Sequence, residues 1–424
     1  MAPRKKDATS KEPGKALSKL AAMQGVLDKV LKDDDSLVII DEDSIKTSFP
    51  HLPTGSVIVD FLVGGRPNRF GVLPCPGLPR GRLTNLYGQE SAGKTTLCLT
   101  VCAQVAARGG STCYIDWEHD LDLSYAKSLG VPINDPDRFR LYRPETMEKG
   151  LSILWTAAKA GVDLIVIDSV GAAVPQTTTE QGIDEKGGQI KIGLMAAKWG
   201  QFLPELKGII SRSGSCVVGI SQLRKKIATG PMAGHGDGTI TQGGEAWKFY
   251  SEVRISLVRV AYEKGKVYSI LENKMIEDVI KSQIRVKVDK CKVAASAGMS
   301  AKLFIQHGEG IDDMRSIIDI AVAHGIIKKD AAWLGFEREG KELLRFNGVD
   351  SFKAGLKKTP GAWEDLYRMT LERLAKVAKD SSVAVEELEE EFESDEDVST
   401  REIEAILNGT ASGTKPEGDS ADED

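Results

Sequence analysis

From Arg82 to about Ile305 the hydrophobic and polar positions alternate between two rhythms. Short apolar runs of strand length occur at Leu83–Tyr87, Cys113–Ile115, Leu164–Ile167, Cys216–Ile220 and Val253–Val260. Between them lie stretches with apolar residues three and four apart, at Thr95–Ala107, Met147–Ala160 and Gly193–Ile210. Apolar strands alternating with amphipathic helices predict an α/β fold, a mainly parallel twisted sheet flanked by helices on both faces. Ahead of this body, Leu17, Leu20, Ala21, Leu27, Val30 and Leu31 fall near helical spacing, followed by the run Leu37-Val38-Ile39-Ile40. A lone helix and strand cannot bury both faces by themselves, so this arm is expected to dock, on another subunit. The stretch Gly64–Pro79 holds Pro67, Pro74, Pro76 and Pro79 and is expected to be a loop.

Two polar, glycine-bearing stretches interrupt the body, Thr177–Gln189 and Lys225–Gly243, and both are expected to be mobile loops. Beyond about Gly310 a smaller unit carries Ile317, Ile318, Ile320, Ala321, Trp333, Leu356, Trp363, Leu366 and Leu371 in a mainly helical pattern. The predicted organisation is an N-terminal arm at 1–50, a core at 51–308, a small α+β C-terminal domain at 309–380 and an acidic, disordered tail at 381–424. Within the tail, Val398–Leu407 has the pattern of a short helix.

At 424 residues the chain is too long for one ordinary core, and 41% apolar with 28% charged residues fits a globular protein. No apolar run approaches the roughly 18 residues of a membrane span, and the basic start at Arg4, Lys5 and Lys6 leads into no signal core. A cytoplasmic protein without a membrane partner is expected. The cysteines at 75, 98, 102, 113, 216 and 291 form neither a disulfide framework nor a CxxC zinc pair, which leaves reduced core thiols. The net charge of −6 hides an asymmetry: residues 386–424 hold 16 Asp/Glu against Arg401 and Lys415, contributing −14 and leaving the rest at +8. A basic body is compatible with a polyanion partner and does not by itself require one.

Gly88-Gln89-Glu90-Ser91-Ala92-Gly93-Lys94-Thr95 matches GxxxxGK[ST] between a predicted strand and a predicted helix, the context in which that motif binds phosphate. The glycines permit torsions that turn backbone N–H groups inward, the helix start adds its dipole, and Lys94 adds charge. Thr95, followed by Thr96, offers a hydroxyl to Mg²⁺. Leu164-Ile165-Val166-Ile167-Asp168 is an apolar strand ending in the carboxylate such a site needs for its metal, although aspartates cap strands in many α/β proteins. Asp116-Trp117-Glu118-His119 closes the second strand at the same edge. Glu118 is there either the base that activates water or a solvated loop carboxylate.

These residues resemble the bacterial RecA recombinases, over roughly Ala16 to Leu374. GQESAGKTTL at 88–97 is similar to the family's P-loop, CYIDWEHDLD at 113–122 to its strand with the catalytic glutamate, and LIVIDSV at 164–170 to its Walker B strand. GISQLRKKI at 219–227, TQGGEAWKFYSEVR at 241–254, RVKVDKCKVAA at 285–295 and HGEGID at 307–312 follow in the family's order. The resemblance implies an ATP- and Mg²⁺-dependent filament protein that coats single-stranded DNA, searches double-stranded DNA for homology and exchanges strands. It implies that Glu118 activates water and that Gln222 senses the γ-phosphate. Asp122 and Tyr125 would sit at the adenine, and Lys290 and Lys292 would reach a neighbour's ATP. It also makes residues 177–193 and 223–243 the DNA loops, with Arg224, Lys225 and Lys226 as phosphate-attracting charges and Gly243 and Gly244 allowing close backbone approach. Phe249 would couple subunits.

Alternatives remain open for some of these residues. Period-two alternation puts Lys290 and Lys292 equally well on the solvated face of a strand, and Phe249 equally well in a core. The chain departs from the family in its first loop, where Lys198 is the DNA contact expected, at Cys291 between the two lysines, and in longer stretches at 65–76 and 232–238. A hexameric ring helicase or translocase with the same core is the alternative function.

Overall fold

The computed structural model describes residues 47–68, 72–176, 187–225, 239–241, 244–338 and 341–377. The N-terminal arm, the tail with its expected Val398–Leu407 helix, and most of the two expected DNA loops lie outside the described residues.

The body begins with β1 (His51–Leu52), α1 (Val57–Gly64), β2 (Leu78–Pro79) and β3 (Leu83–Gly88). There follow α2 (Lys94–Ala107), β4 (Thr112–Asp116), α3 (Leu123–Ser128), β5 (Phe139–Tyr142), α4 (Met147–Lys159) and β6 (Leu164–Asp168). The next elements are α5 (Gly187–Ser213), β7 (Cys216–Lys225), β8 (Thr239–Thr241), α6 (Glu245–Tyr250), β9 (Val253–Ser269), β10 (Lys274–Cys291), β11 (Ser300–Gln306) and β12 (Gly310–Ile311). Nine strands line up in the order β12-β11-β10-β9-β3-β7-β6-β4-β5, and β8 pairs with β7. From β9 to β5 the pairing is parallel, as βαβ crossovers require. From β9 to β12 it is antiparallel, so the sheet is mixed.

Period-two alternation divides the core into two layers. Leu164, Val166, Val218 and Ile220 face α1 and α2 with Val59, Leu97, Val101 and Val105. Ile165, Ile167 and Val217 face the other way, toward Leu154, Trp199, Leu203 and Leu206 of α4 and α5. In that second layer Trp117, Trp199 and Trp247 stack edge-on, with centroids 5.2 to 6.0 Å apart. Two glycines make room for them. A Cβ on Gly150 would stand 2.1 Å from Trp117, and one on Gly219 would stand 2.4 Å from Trp247. The six cysteines are free, and all but Cys291 are buried.

The C-terminal unit contains α7 (Asp313–Ala323), a three-stranded antiparallel sheet of β13 (Ile327–Asp330), β14 (Trp333–Arg338) and β15 (Lys341–Asn347), α8 (Val349–Lys358) and α9 (362–377). The helical spacing that took in Trp333 is corrected here: Trp333 opens β14 and is 44% exposed. This sheet buries Ile327, Leu334, Phe336 and Leu344 against Ile317, Phe352 and Leu366, while Trp333 stands on its other face with Arg345 over its ring at 5.7 Å.

α1 and α7 join the two units. The Val57 N–H donates to the Asp313 carboxylate at 3.0 Å, and the Thr54 N–H to that of Asp60 at 2.8 Å. Nearby, Lys353 pairs with Asp312 at 2.6 Å, and Lys281 lies between Asp312 and Asp350. Burial pushes Asp60 up to about 7, with the charge of Asp313 adding to the rise and Arg108 opposing it. Burial likewise raises Asp313 to about 6. Both acids are raised above their unfolded value of about 3.9. Their contribution is therefore complete below pH ~4 and lost as pH climbs through about 6 to 7. The melting temperature should fall between pH 5 and pH 8. Asp60→Asn, which keeps the acceptor, should flatten that fall and melt higher at pH 8, each kcal/mol corresponding to roughly 2–4 °C. Thermal unfolding followed by circular dichroism checks this, and an unchanged pH slope would refute it.

Candidate active site

The loop from β3 to α2 folds as its glycines require. Gly93 sits at φ 84 as the N-cap of α2, and a Cβ on Gly88 would stand 2.2 Å from the Leu257 carbonyl oxygen. Lys94 is only 7% exposed, and its amine donates to the carbonyls of Gly88 at 3.2 Å and Gln89 at 2.7 Å. Burial lowers the Lys94 pKa while Asp168, Glu118 and Glu90 draw it back up. Ser91, Gly93, Lys94, Thr95, Thr96 and Tyr125 form one wall of a cavity of about 340 Å³. Ser282, Ile284, Ile305, His307 and Gly308 form the other. A larger cavity of about 500 Å³ lies beside β5 and α4 and contains none of these residues.

Asp168, at the end of β6, accepts hydrogen bonds from the hydroxyls of Thr95 at 3.0 Å and Tyr114 at 2.7 Å. Burial, together with the charges of Glu118 and Asp120, pushes it up to about 6. Parallel register sets these positions: Asp116 lies beside Asp168, and Gly88 beside Gln222. Past the end of β4, the Gln222 amide donates to Glu118 Oε1 at 2.9 Å. Asp116 organises that turn, accepting from the His119 N–H at 2.8 Å and pairing with Arg143 at 3.1 Å. Tyr125 is held at the cavity by a 3.1 Å hydroxyl contact with Thr96. Asp122 caps α3 instead of lining that wall, its Oδ1 accepting from the N–H groups of Ser124 and Tyr125.

Gly244, φ 78, leads into α6, which ends at Tyr250 just ahead of β9, at the other end of the sheet. Phe249 on α6 is 71% exposed, which excludes the core alternative. The Lys290 amine donates to the carbonyls of Lys248 at 3.1 Å and Phe249 at 2.9 Å, tying β10 to the end of α6. A register irregularity between Val288 and Lys290 breaks strict alternation at that point. Lys292 is exposed beside it, its N–H donating to the Glu252 carbonyl. Lys198, on α5, is engaged by Glu148 at 2.9 Å. Arg224 and Lys225 lie in the last residues of β7, which β8 joins as an antiparallel partner. Lys226 and Gly243 lie outside the described residues.

Three contributors escaped sequence reasoning: Tyr114, the Asp116–Arg143 pair, and the wall with Ser282 and His307, whose side chains meet at 2.9 Å. A tyrosine inside a fully buried strand needs a hydroxyl partner, and that signal was available for Tyr114. Tyr114→Phe removes one hydrogen bond from a buried carboxylate, worth roughly 1.5–3 kcal/mol for a charged acceptor. It should weaken magnesium-dependent nucleotide binding about tenfold or more in a fluorescent-nucleotide titration, with the circular-dichroism spectrum unchanged.

The model of the RecA N-terminal domain matches residues 21–312. Protein RecA of Chlorobium chlorochromatii is 38% identical over 322 residues, covering 76% of this chain and 81% of the relative. Protein RecA of Heliobacterium modesticaldum is 38% identical over 339 residues, covering 77% and 89%. A Protein RecA of Thermus thermophilus is 35% identical over 327 residues, covering 77% and 86%. With strand order, phosphate loop, and the Glu118–Gln222 and Thr95–Asp168 contacts in one arrangement, the chain belongs to the RecA family.

Proposed function

We propose that this protein is a recombinase that couples ATP hydrolysis to pairing and strand exchange between homologous DNA molecules in repair. It is a DNA-dependent ATPase. One observation carries the mechanism: the hydrogen bond from Gln222 to Glu118 links the catalytic edge of β4 to β7, the strand that runs straight into the second DNA loop.

The backbone of residues 88–95 and the Lys94 amine cradle the triphosphate, and Tyr125 flanks the base. Thr95 and Asp168 supply the hydroxyl and carboxylate oxygens that suit Mg²⁺. Asp168 fits that cation because it is 6% exposed and raised by burial and by neighbouring acids. Mg²⁺ bound there neutralises charge on the phosphates. Glu118 takes a proton from the water that attacks the γ-phosphorus, and the bond to the bridging oxygen breaks. Gln222 registers whether that phosphate is present and biases the loop at 223–243. Lys290 and Lys292, at the far end of the sheet, complete the site of the next protomer in a helical filament, aided by Phe249. Their amines serve the neighbour's phosphates as arginine fingers do elsewhere.

Arg224, Lys225 and Lys226 attract the backbone of single-stranded DNA without reading sequence, and Gly243 and Gly244 admit phosphate close to backbone amides. The first loop, 177–193, makes the companion contact. Lys198 becomes available to DNA only by leaving Glu148. The N-terminal arm docks on an adjacent subunit, for which the edge of β5, unpaired on its outer side among the described residues, and the mostly apolar cavity beside it are suited. Linkage makes ATP and DNA strengthen each other's binding by the same factor. Membership of the family and the paired lysines do not favour a ring helicase.

Lys94→Ala should abolish hydrolysis, and unchanged turnover would sink the site. Gln222→Ala should retain DNA-independent hydrolysis but lose most of its stimulation by single-stranded DNA in a coupled ATPase assay. Strand exchange with homologous and heterologous duplexes tests the function directly. Deleting residues 386–424 removes −14 of charge and should raise duplex affinity, most visibly at low salt. Identical salt-dependent binding curves would refute that role for the tail.

A further inference from the structure

β9 stands level with the phosphate loop where Leu257 pairs with Gly88, and continues twelve residues further, to Ser269. That is roughly 40 Å of strand at about 3.3 Å per residue. Beyond the Lys281–Glu263 pair its partner is β10 alone, because β11 joins β10 only from Lys281 onward. A two-stranded ribbon therefore projects from the end of the sheet that carries the nucleotide site. Its root touches that site. Arg259 donates to the Ser91 carbonyl of the phosphate loop at 3.2 Å and stacks over Tyr262 at 4.7 Å.

The ribbon's surface is unusual. Of the twelve exposed large hydrophobic residues among those described, five lie on it, with Val260 and Tyr262 at its root. Ile270 is 88% and Leu271 99% exposed at the tip, with Tyr268 at 54% and Met275 at 56% paired across the strands. The turn that presents them is ordered. The Glu272 N–H donates to Ser269 Oγ, the Tyr268 hydroxyl bonds Asn273, and Lys274 pairs with Glu272. Fixing apolar side chains outward in this way lowers the entropy a partner must remove.

Charge excludes a polyanion as that partner. Lys264, Lys266 and Lys274 are matched by Glu263, Glu272, Glu277 and Asp278, and Lys266 sits opposite Glu277. An apolar tip on a near-neutral stem fits a protein surface. Direction selects which protein. Lys292 and Phe249 lie before the start of β9, so the cations that complete a neighbour's site and the ribbon point to opposite ends of the same strands. In a head-to-tail assembly the protomer that brings its lysines to this nucleotide meets the face from which the ribbon rises.

We propose that the β9–β10 ribbon is an assembly arm whose tip, Ile270 and Leu271, seats on the neighbouring copy of this chain in the filament. The inference rests on the filament reading above. It assigns to the ribbon a share of protomer contact separate from the nucleotide and the N-terminal arm.

The test compares full-length protein with the double variant Ile270→Asp, Leu271→Asp, whose altered side chains touch no catalytic residue. Filament formation on single-stranded DNA with ATP is followed by sedimentation and electron microscopy across protein concentration. ATP hydrolysis per protomer should match wild type once protein is saturating, and the concentration for half-assembly should rise at least about tenfold, equivalent to roughly 1.4 kcal/mol. Half-assembly at the wild-type concentration would overturn the inference. A photo-crosslinking amino acid at Leu271 should give protomer–protomer adducts only with ATP and DNA, whereas adducts to DNA alone, or none, would overturn it. Wild-type protein that forms no filament would sink the filament reading itself, an outcome distinct from a wild-type filament that ignores the substitutions.

Discussion

The parallel register of β3, β4, β6 and β7 is the constraint on which the rest depends. It sets Gly88 beside Gln222 and Asp116 beside Asp168, so that residues far apart in the chain end at one edge. A slip of one residue would turn Asp168 to the opposite face and separate it from both Thr95 and Tyr114. Two apolar layers hold the register against such a slip. Every strand residue from Leu164 to Ile167 is fully buried, alternating between them.

Upon that frame the site is wired by few polar contacts, each with two duties. Asp168 holds Thr95 and Tyr114 and is also the proposed carboxylate for the cation. In the proposed mechanism Glu118 is the base as well as the acceptor of Gln222, so a change at the phosphate would reach the anchor of a DNA loop directly. Lys290 donates its amine to the last carbonyls of α6 and, in the proposed filament, would give it to a neighbour's phosphate. Assembly of that kind would draw a cation away from the helix that carries Phe249, a short route for communication between protomers.

The central strands and the phosphate loop were legible because burial on both faces leaves continuous apolar runs, and because only glycine suits Gly88 and Gly93. Asp168 and Glu118 followed from strand ends. The outer half of β9 was not legible: after Val260 neither face is buried, so no alternation marks a strand. β13 to β15 were hidden for a related reason, since half their positions are polar and β13 buries only Ile327. The expectations for Asp122 and Lys198 came from the family resemblance, which does not show that Asp122 caps a helix and Lys198 pairs with Glu148.

The buried thiols carry a consequence for the conditions in which such a protein works. Burial pushes Cys75, Cys113 and Cys216 up to about 12, and Cys98 and Cys102 are also raised. Peroxides react with the thiolate, and at neutral pH these five sulfurs hold almost none of it. Oxidative stress breaks DNA and inactivates exposed sulfur enzymes at the same moment. Burial of five of the six cysteines leaves a catalyst of repair little thiolate to lose to the insult that creates its substrate, Cys291 being the one only partly buried.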